Sequence, residues 1–235
     1  MSSFALPPDY PRVQRVHSFP ELVSTPLANG VNALCWQRTL PGDFGEIVQL
    51  LGGGADIRTL DEAQLLSLPV SASGRAALEV LLHDQRWLRE QALDPALNCI
   101  HGYPRDESPS PIATDVFSFH ADSAPVPTDT YLCTYYGSPS EGLRNDEALR
   151  KIDLPPIRAE LLRQFGGADD ARFREYLNEH CYDLHYAPAP SARPFSFGVG
   201  HLWRIATEWP GNPVPPCVHR APPTRPGQPR LLLIS

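Results

Sequence analysis

Phe117-Ser118-Phe119-His120-Ala121-Asp122 reads as the end of a buried strand that carries a polar pair. Side chains alternate faces along a strand, so His120 and Asp122, two apart, point the same way, while the apolar residues before them suit a core. One imidazole and one carboxylate then enter the same cavity, which are donor types that a divalent metal takes. The chain has eight His, yet no other His-x-Asp or His-x-Glu occurs in it. The competing reading is a hydrogen-bonded pair that merely ends a strand.

The far end of the chain adds a third candidate ligand. In Cys217-Val218-His219-Arg220-Ala221-Pro222-Pro223, His219 ends a short apolar segment, and eleven residues later Arg230 opens the final apolar run Arg230-Leu231-Leu232-Leu233-Ile234. The order His-x-Asp, long gap, His, Arg resembles the iron(II)- and 2-oxoglutarate-dependent oxygenases. That resemblance implies a mainly β protein with flanking helices around a double-stranded β-helix, or jelly roll. It also implies that His120, Asp122 and His219 are the metal ligands and catalytic residues, with Fe(II), the cosubstrate 2-oxoglutarate and O2 as cofactors. Two imidazoles and a carboxylate on one face of Fe(II) leave adjacent positions for the keto and carboxylate oxygens of 2-oxoglutarate and for O2. The cosubstrate would leave as succinate while a C–H bond of the substrate is oxidised.

The remote carboxylate of 2-oxoglutarate would sit inside a barrel, where an unpaired charge is very costly. A guanidinium fork answers it, and Arg230 is the first choice, with Arg220 or Arg225 as alternatives. Thr134 or Tyr131, on the strand after the metal pair, would add a hydroxyl. Asp122 is the carboxylate that halogenases of this superfamily replace with a small residue, so the expected reaction is hydroxylation or another C–H oxidation rather than halogenation. Three stretches together also resemble a bacterial family of proteins without an assigned reaction: Gly30-Val-Asn-Ala-Leu-Cys-Trp-Gln-Arg38, Phe119-His-Ala-Asp122 with Leu132-Cys-Thr-Tyr135, and Val218-His-Arg-Ala-Pro-Pro223 with Arg230-Leu-Leu-Leu233. This second resemblance bears on fold and triad, not on a reaction.

Composition narrows the partners. At 235 residues and 42% hydrophobic content the chain can bury a full core, most simply as one domain over residues 1–235. A net charge of -7 and a pI near 5.6 argue against a phosphate-contacting surface, so no nucleic-acid partner is expected. Five cysteines, odd in number and without CxxC spacing, point to reduced thiols and a cytoplasmic protein. Met1-Ser-Ser-Phe-Ala-Leu-Pro-Pro has no basic segment followed by an apolar core, and no stretch approaches a membrane span. The expected substrate is a small metabolite, an amino acid or a natural-product intermediate. Oligomeric state is not readable from the sequence.

Along the chain, residues 1–30 read as a surface segment rich in Pro and turn formers. Helices are expected over 44–51, 59–68 and 74–93, the last carrying the stripe Ala77, Leu78, Leu81, Leu82, Leu88 and Leu93. Residues 1–97 thus read as helical support around a sheet. Gly52-Gly53-Gly54 ends a helix rather than opening one and lacks the Lys-Ser/Thr of a phosphate loop. Strands are expected at 31–36, 100–103, 115–120, 130–136, 194–206, 214–219 and 230–234, which places the jelly-roll core within 98–235. The span 137–190, with a helix over 169–181, reads as a lid-like insertion.

A rival metal cluster, His180, Cys181, Asp183 and His185, lies near a helix end, where it more simply marks the helix terminus. His201 reads as core or as support to the site, and Trp87, Trp203 and Trp209 as packing. Two other function classes fit the same ligands. A cupin-like isomerase or hydrolase would take Zn or Mn and have no need of Arg230; a binding module would keep the ligands without turnover.

Overall fold

In a computed structural model describing residues 5–223, 225 and 227–235, the fold is mainly β, with two sheets and flanking helices. The first elements are β1 (Val13–Val16), α1 (Phe19–Ser24), β2 (Ala33–Trp36) and α2 (Phe44–Leu51). Next come β3 (Ile57–Leu60), α3 (Glu62–Leu66), α4 (Ala72–Glu90) and β4 (Ala96–Ile100). Side-chain oxygens of Ser18, Asp43, Asp61 and Ser71 accept from backbone N–H groups in the first turns of α1 to α4, so a capping residue fixes each helix start.

The second half contributes β5 (Phe119–His120), β6 (Asp129–Tyr136), β7 (Glu141–Leu143) and β8 (Ala148–Arg150). They are followed by α5 (Pro155–Phe165), α6 (Ala171–Glu179), β9 (His185–Pro188), β10 (Phe195–Ser196), β11 (Leu202–Ala206), β12 (Val218–Arg220) and β13 (Arg230–Ile234).

Seven strands form one sheet in the order β1-β2-β11-β6-β13-β4-β3, and six form the other in the order β10-β7-β12-β5-β9-β8. The β1–β2 pairing is parallel and the others are antiparallel. Strand β13 shows how the larger sheet is used on both faces. Leu231 and Leu233 pack with Ile47, Leu78, Leu81 and Leu88 of α2 and α4 on one side. Leu232, one residue from each of them, points the other way and belongs to the opposite core with Leu132, Trp203, Phe195 and Phe197. Each of these buried aliphatic side chains is worth about 1.5–3 kcal/mol of transfer free energy. The site lies on that second, inward face.

Several boundaries differ from the sequence reading. The helix expected over 59–68 is split, because Ile57–Leu60 pairs with β4 and Asp61 then caps a short helix in a capping box with Gln64. Part of the expected surface segment is β1 and α1, with Val16, Phe19 and Leu22 buried. The span 137–190 is not a separate flap, since β7, β8 and β9 belong to the smaller sheet. Its helices α5 and α6 enclose a small core of their own around Ile152, Leu161, Phe173 and Leu177. The five cysteines are free thiols, and no helix among the described residues is long and apolar enough to cross a membrane.

Candidate metal centre

His120 closes β5 and His219 is the middle residue of β12, and the two are direct cross-strand partners. Opposed residues of an antiparallel pair project to the same face, so the register alone brings the imidazoles together, with ring centroids 4.6 Å apart. Asp122 follows two residues after His120, as the pleat requires. Its Oδ1 lies 3.7 Å from Nε2 of His120 and its Oδ2 lies 3.8 Å from Nε2 of His219. One ligand atom from each of the three residues falls within 4.8 Å of the others. Such separations leave room for an ion at about 2.0–2.2 Å from every donor.

The surroundings set the protonation states. Nδ1 of His120 faces the carbonyl of Ser118 at 2.8 Å, and Nδ1 of His219 faces that of Cys217 at 3.3 Å. A carbonyl can only accept, so each ring carries a proton on Nδ1 and turns its Nε2 toward Asp122. Burial, and then the neighbouring His219, push His120 down to about 4, which keeps it neutral. Burial pulls Asp122 the other way, but His219, the Thr130 hydroxyl and His120 outweigh it and leave the carboxyl below its ordinary range. The Thr130 hydroxyl donates to Oδ2 at 2.6 Å. A neutral imidazole and an ionised carboxylate are the forms that metal ligation needs, and these are the forms toward which their surroundings push His120 and Asp122.

The triad opens into a cavity of about 240 Å³ that Arg230 also lines. Arg230 is 5% exposed. Its guanidinium donates to Tyr103 Oη at 2.7 Å, Ser140 Oγ at 3.1 Å and Thr134 Oγ1 at 3.2 Å, while Nε meets no acceptor. Three half-buried arginines pair with carboxylates: Arg38 with Asp84, Arg204 with Asp129 and Arg220 with Glu141. Among the described residues Arg230 has no such partner. Burial lowers its proton affinity, against the pull of the Tyr103 oxygen.

Thr134 therefore stands beside Arg230. Tyr131 does not, because three residues along a strand reverse the face; it packs in the core under the helices, with the Arg204 guanidinium over its ring. Arg220 also points away, as the direct neighbour of His219 must. It pairs with Glu141 at 2.7 Å and lies over the Phe119 ring. Arg225 is exposed in a turn bridged to Gln228. The rival cluster is dispersed: His180 stacks against Tyr176 and Tyr182, Cys181 is exposed, and His185 is buried against Ser118 Oγ. His201 accepts from the Arg38 backbone N–H, and Trp203 sits in the core between the sheets.

Tyr103, Ser140 and Thr130 escaped the sequence reading. Nothing in the local pattern marks them: Tyr103 and Ser140 reach Arg230 from far along the chain, and Thr130 reaches Asp122 across the turn between β5 and β6. Compared with known protein families, curated proteins and solved structures, the chain matches none of them.

Proposed function

We propose that the protein is an Fe(II)- and 2-oxoglutarate-dependent oxygenase that oxidises a C–H bond of a small metabolite, amino acid or natural-product intermediate. The observation that carries this reading is Arg230, a buried guanidinium without a carboxylate partner among the described residues, in the cavity that holds the His120, Asp122 and His219 triad. A buried unpaired charge is kept only where something will neutralise it. A dicarboxylate spanning from the metal to Arg230 does so. A metal-dependent isomerase or hydrolase with the same ligands leaves this charge without a purpose.

The strand order supports a double-stranded β-helix. Strands β4, β13, β6 and β11 are adjacent in one sheet, and β5, β12, β7 and β10 in the other, so the chain passes back and forth between the sheets. On this reading His120, Asp122 and His219 hold Fe(II). When bound, the metal and 2-oxoglutarate supply O2-dependent oxidation of a C–H bond, with succinate and CO2 as the cosubstrate's products. The carbonyls of Ser118 and Cys217 keep the imidazole protons on Nδ1, and Thr130 fixes one oxygen of Asp122. Arg230 receives the remote carboxylate, with Tyr103, Thr134 and Ser140 aiming the fork. Leu132, Leu232 and Ile234 line the apolar remainder of the cavity.

Anaerobic titration of the apo protein with Fe(II) and then 2-oxoglutarate tests the reading. A visible iron-to-cosubstrate charge-transfer band is expected, absent in His120→Ala and requiring about a hundredfold more cosubstrate in Arg230→Ala, as loss of a buried charged contact implies. Iron bound without any such band sinks the oxygenase assignment.

A further inference from the structure

The cavity has a second polar feature that neither metal nor cosubstrate uses. Arg230, Leu232 and Ile234 all face it from β13, and these four residue steps span about 13 Å at roughly 3.3 Å each. The Arg230 end is polar. The remainder is walled by Leu132, Leu232, Ile234, Val116 and Ile57, with a single amide, Asn98, standing among them. Asn98 is 9% exposed.

Its orientation is set by the edge strand. Asn98 is the cross-strand partner of Leu232 on one side and of Thr59 on the other. The Thr59 hydroxyl donates to Asn98 Oδ1 at 2.7 Å. With the oxygen engaged there, Nδ2 is left to the cavity, where it meets no acceptor among the described residues. A donor turned into a largely apolar cavity has only water to donate to until a ligand arrives. A ligand oxygen that occupies the place takes this bond.

The charge of that ligand follows from the lining. Arg230 is the only cation among the described lining residues, and Asp122 already contributes an anion. A second carboxylate at that end would find no cation among the described lining residues except Arg230, which the cosubstrate takes, and a cation would face the N–H donors of Asn98. We infer that Asn98 is a specificity-determining residue that donates to a neutral carbonyl oxygen of the organic substrate, an aliphatic amide, ketone or ester whose hydrocarbon part lies on Leu132, Leu232 and Ile234. The cavity is smaller than those of drug-sized ligands, so it takes a small molecule or the reacting end of a larger one. This inference rests on the oxygenase reading in giving the Arg230 end to the cosubstrate.

Calorimetric titration with hexanamide, hexanoate, hexylammonium and, separately, 2-oxoglutarate tests it on the Fe(II)-loaded protein under anaerobic conditions. Hexanamide is expected to bind more tightly than either charged analogue. Asn98→Leu should weaken it about tenfold, the equivalent of one good hydrogen bond, and leave 2-oxoglutarate within about twofold. Asn98→Asp keeps the shape and can keep the Thr59 bond while removing the N–H donor, so it should reproduce the loss even if the leucine variant folds poorly. The inference is overturned if hexanamide does not bind at millimolar concentration, if hexanoate binds as well, or if the Asn98 variants lose 2-oxoglutarate instead. Hexanamide is also titrated without cosubstrate. Failure of wild type to bind 2-oxoglutarate then removes the oxygenase reading, while the Asn98 result stands or falls by itself.

Discussion

Arg230 burdens the metal-free fold, whereas Thr130 serves the metal site. Arg230 is enclosed with hydroxyls and, among the described residues, no carboxylate, so its charge is a net cost to the metal-free fold. Arg230→Met keeps much of the volume and removes that charge. It should raise the stability of the apo protein by about 1–3 kcal/mol in urea unfolding while 2-oxoglutarate binding is lost; destabilisation would mean that the guanidinium is held for structure. Thr130→Val removes the 2.6 Å bond to Asp122 at constant volume. Metal affinity, measured by competition with a chelator, should fall about 10–100-fold, and Thr130→Ser should restore it. The triad was legible in the sequence because both signals are local: His-x-Asp is a strand repeat, and His219 ends an apolar run. Choosing between Tyr131 and Thr134 was not, because both lie on β6 and only the register with β13 decides which face looks inward.

At the scale of the element, the short strands of the smaller sheet hold His219 in register. Gly142 of β7 is the direct partner of His219, and a Cβ there would lie 2.3 Å from Phe195 Cζ and 2.7 Å from Phe197 Cε1. Those rings belong to a stack that reaches Trp203 and His219, so they have little freedom to move aside. Gly142→Ala should cost about 1–3 kcal/mol through overpacking and weaken metal binding with it. Unaltered unfolding in urea would show that the stack yields. The sequence could not reveal this sheet in detail. Strands β5 and β10 have two residues each, too few for any periodicity, and the smaller sheet is assembled from pairings far apart in the chain. The helices were more visible, because capping residues and apolar stripes are local; α5 was missed since its Pro155-Pro156 start reads as a break although Pro is compatible with the first turn of a helix.

Over the whole molecule, the inward face carries imidazoles that the fold keeps uncharged, and this couples stability to pH. His185 is the cross-strand partner of His120, with its Nδ1 3.0 Å from Ser118 Oγ. Lys151 Nζ donates to the same Oγ at 2.8 Å. Burial first, then His120 and Lys151, hold His185 down to about 4, with Asp115 and Asp106 pulling weakly upward. His120 is held down to about 4 as well. An unfolded imidazole titrates near 6.5, so between about pH 6.5 and 4 the unfolded chain binds more protons than the native one. Stability is therefore full above that window and is lost as pH falls through it. A shift of this size in both residues, discounted for their partial solvation, removes about 1–2 kcal/mol each. Urea unfolding of the metal-free protein at pH 7 and pH 5 should show the loss, and His185→Gln should remove about half of it. An equal stability at the two pH values would mean that both rings are protonated inside the fold, a state in which His120 could not offer its Nε2 lone pair to a metal.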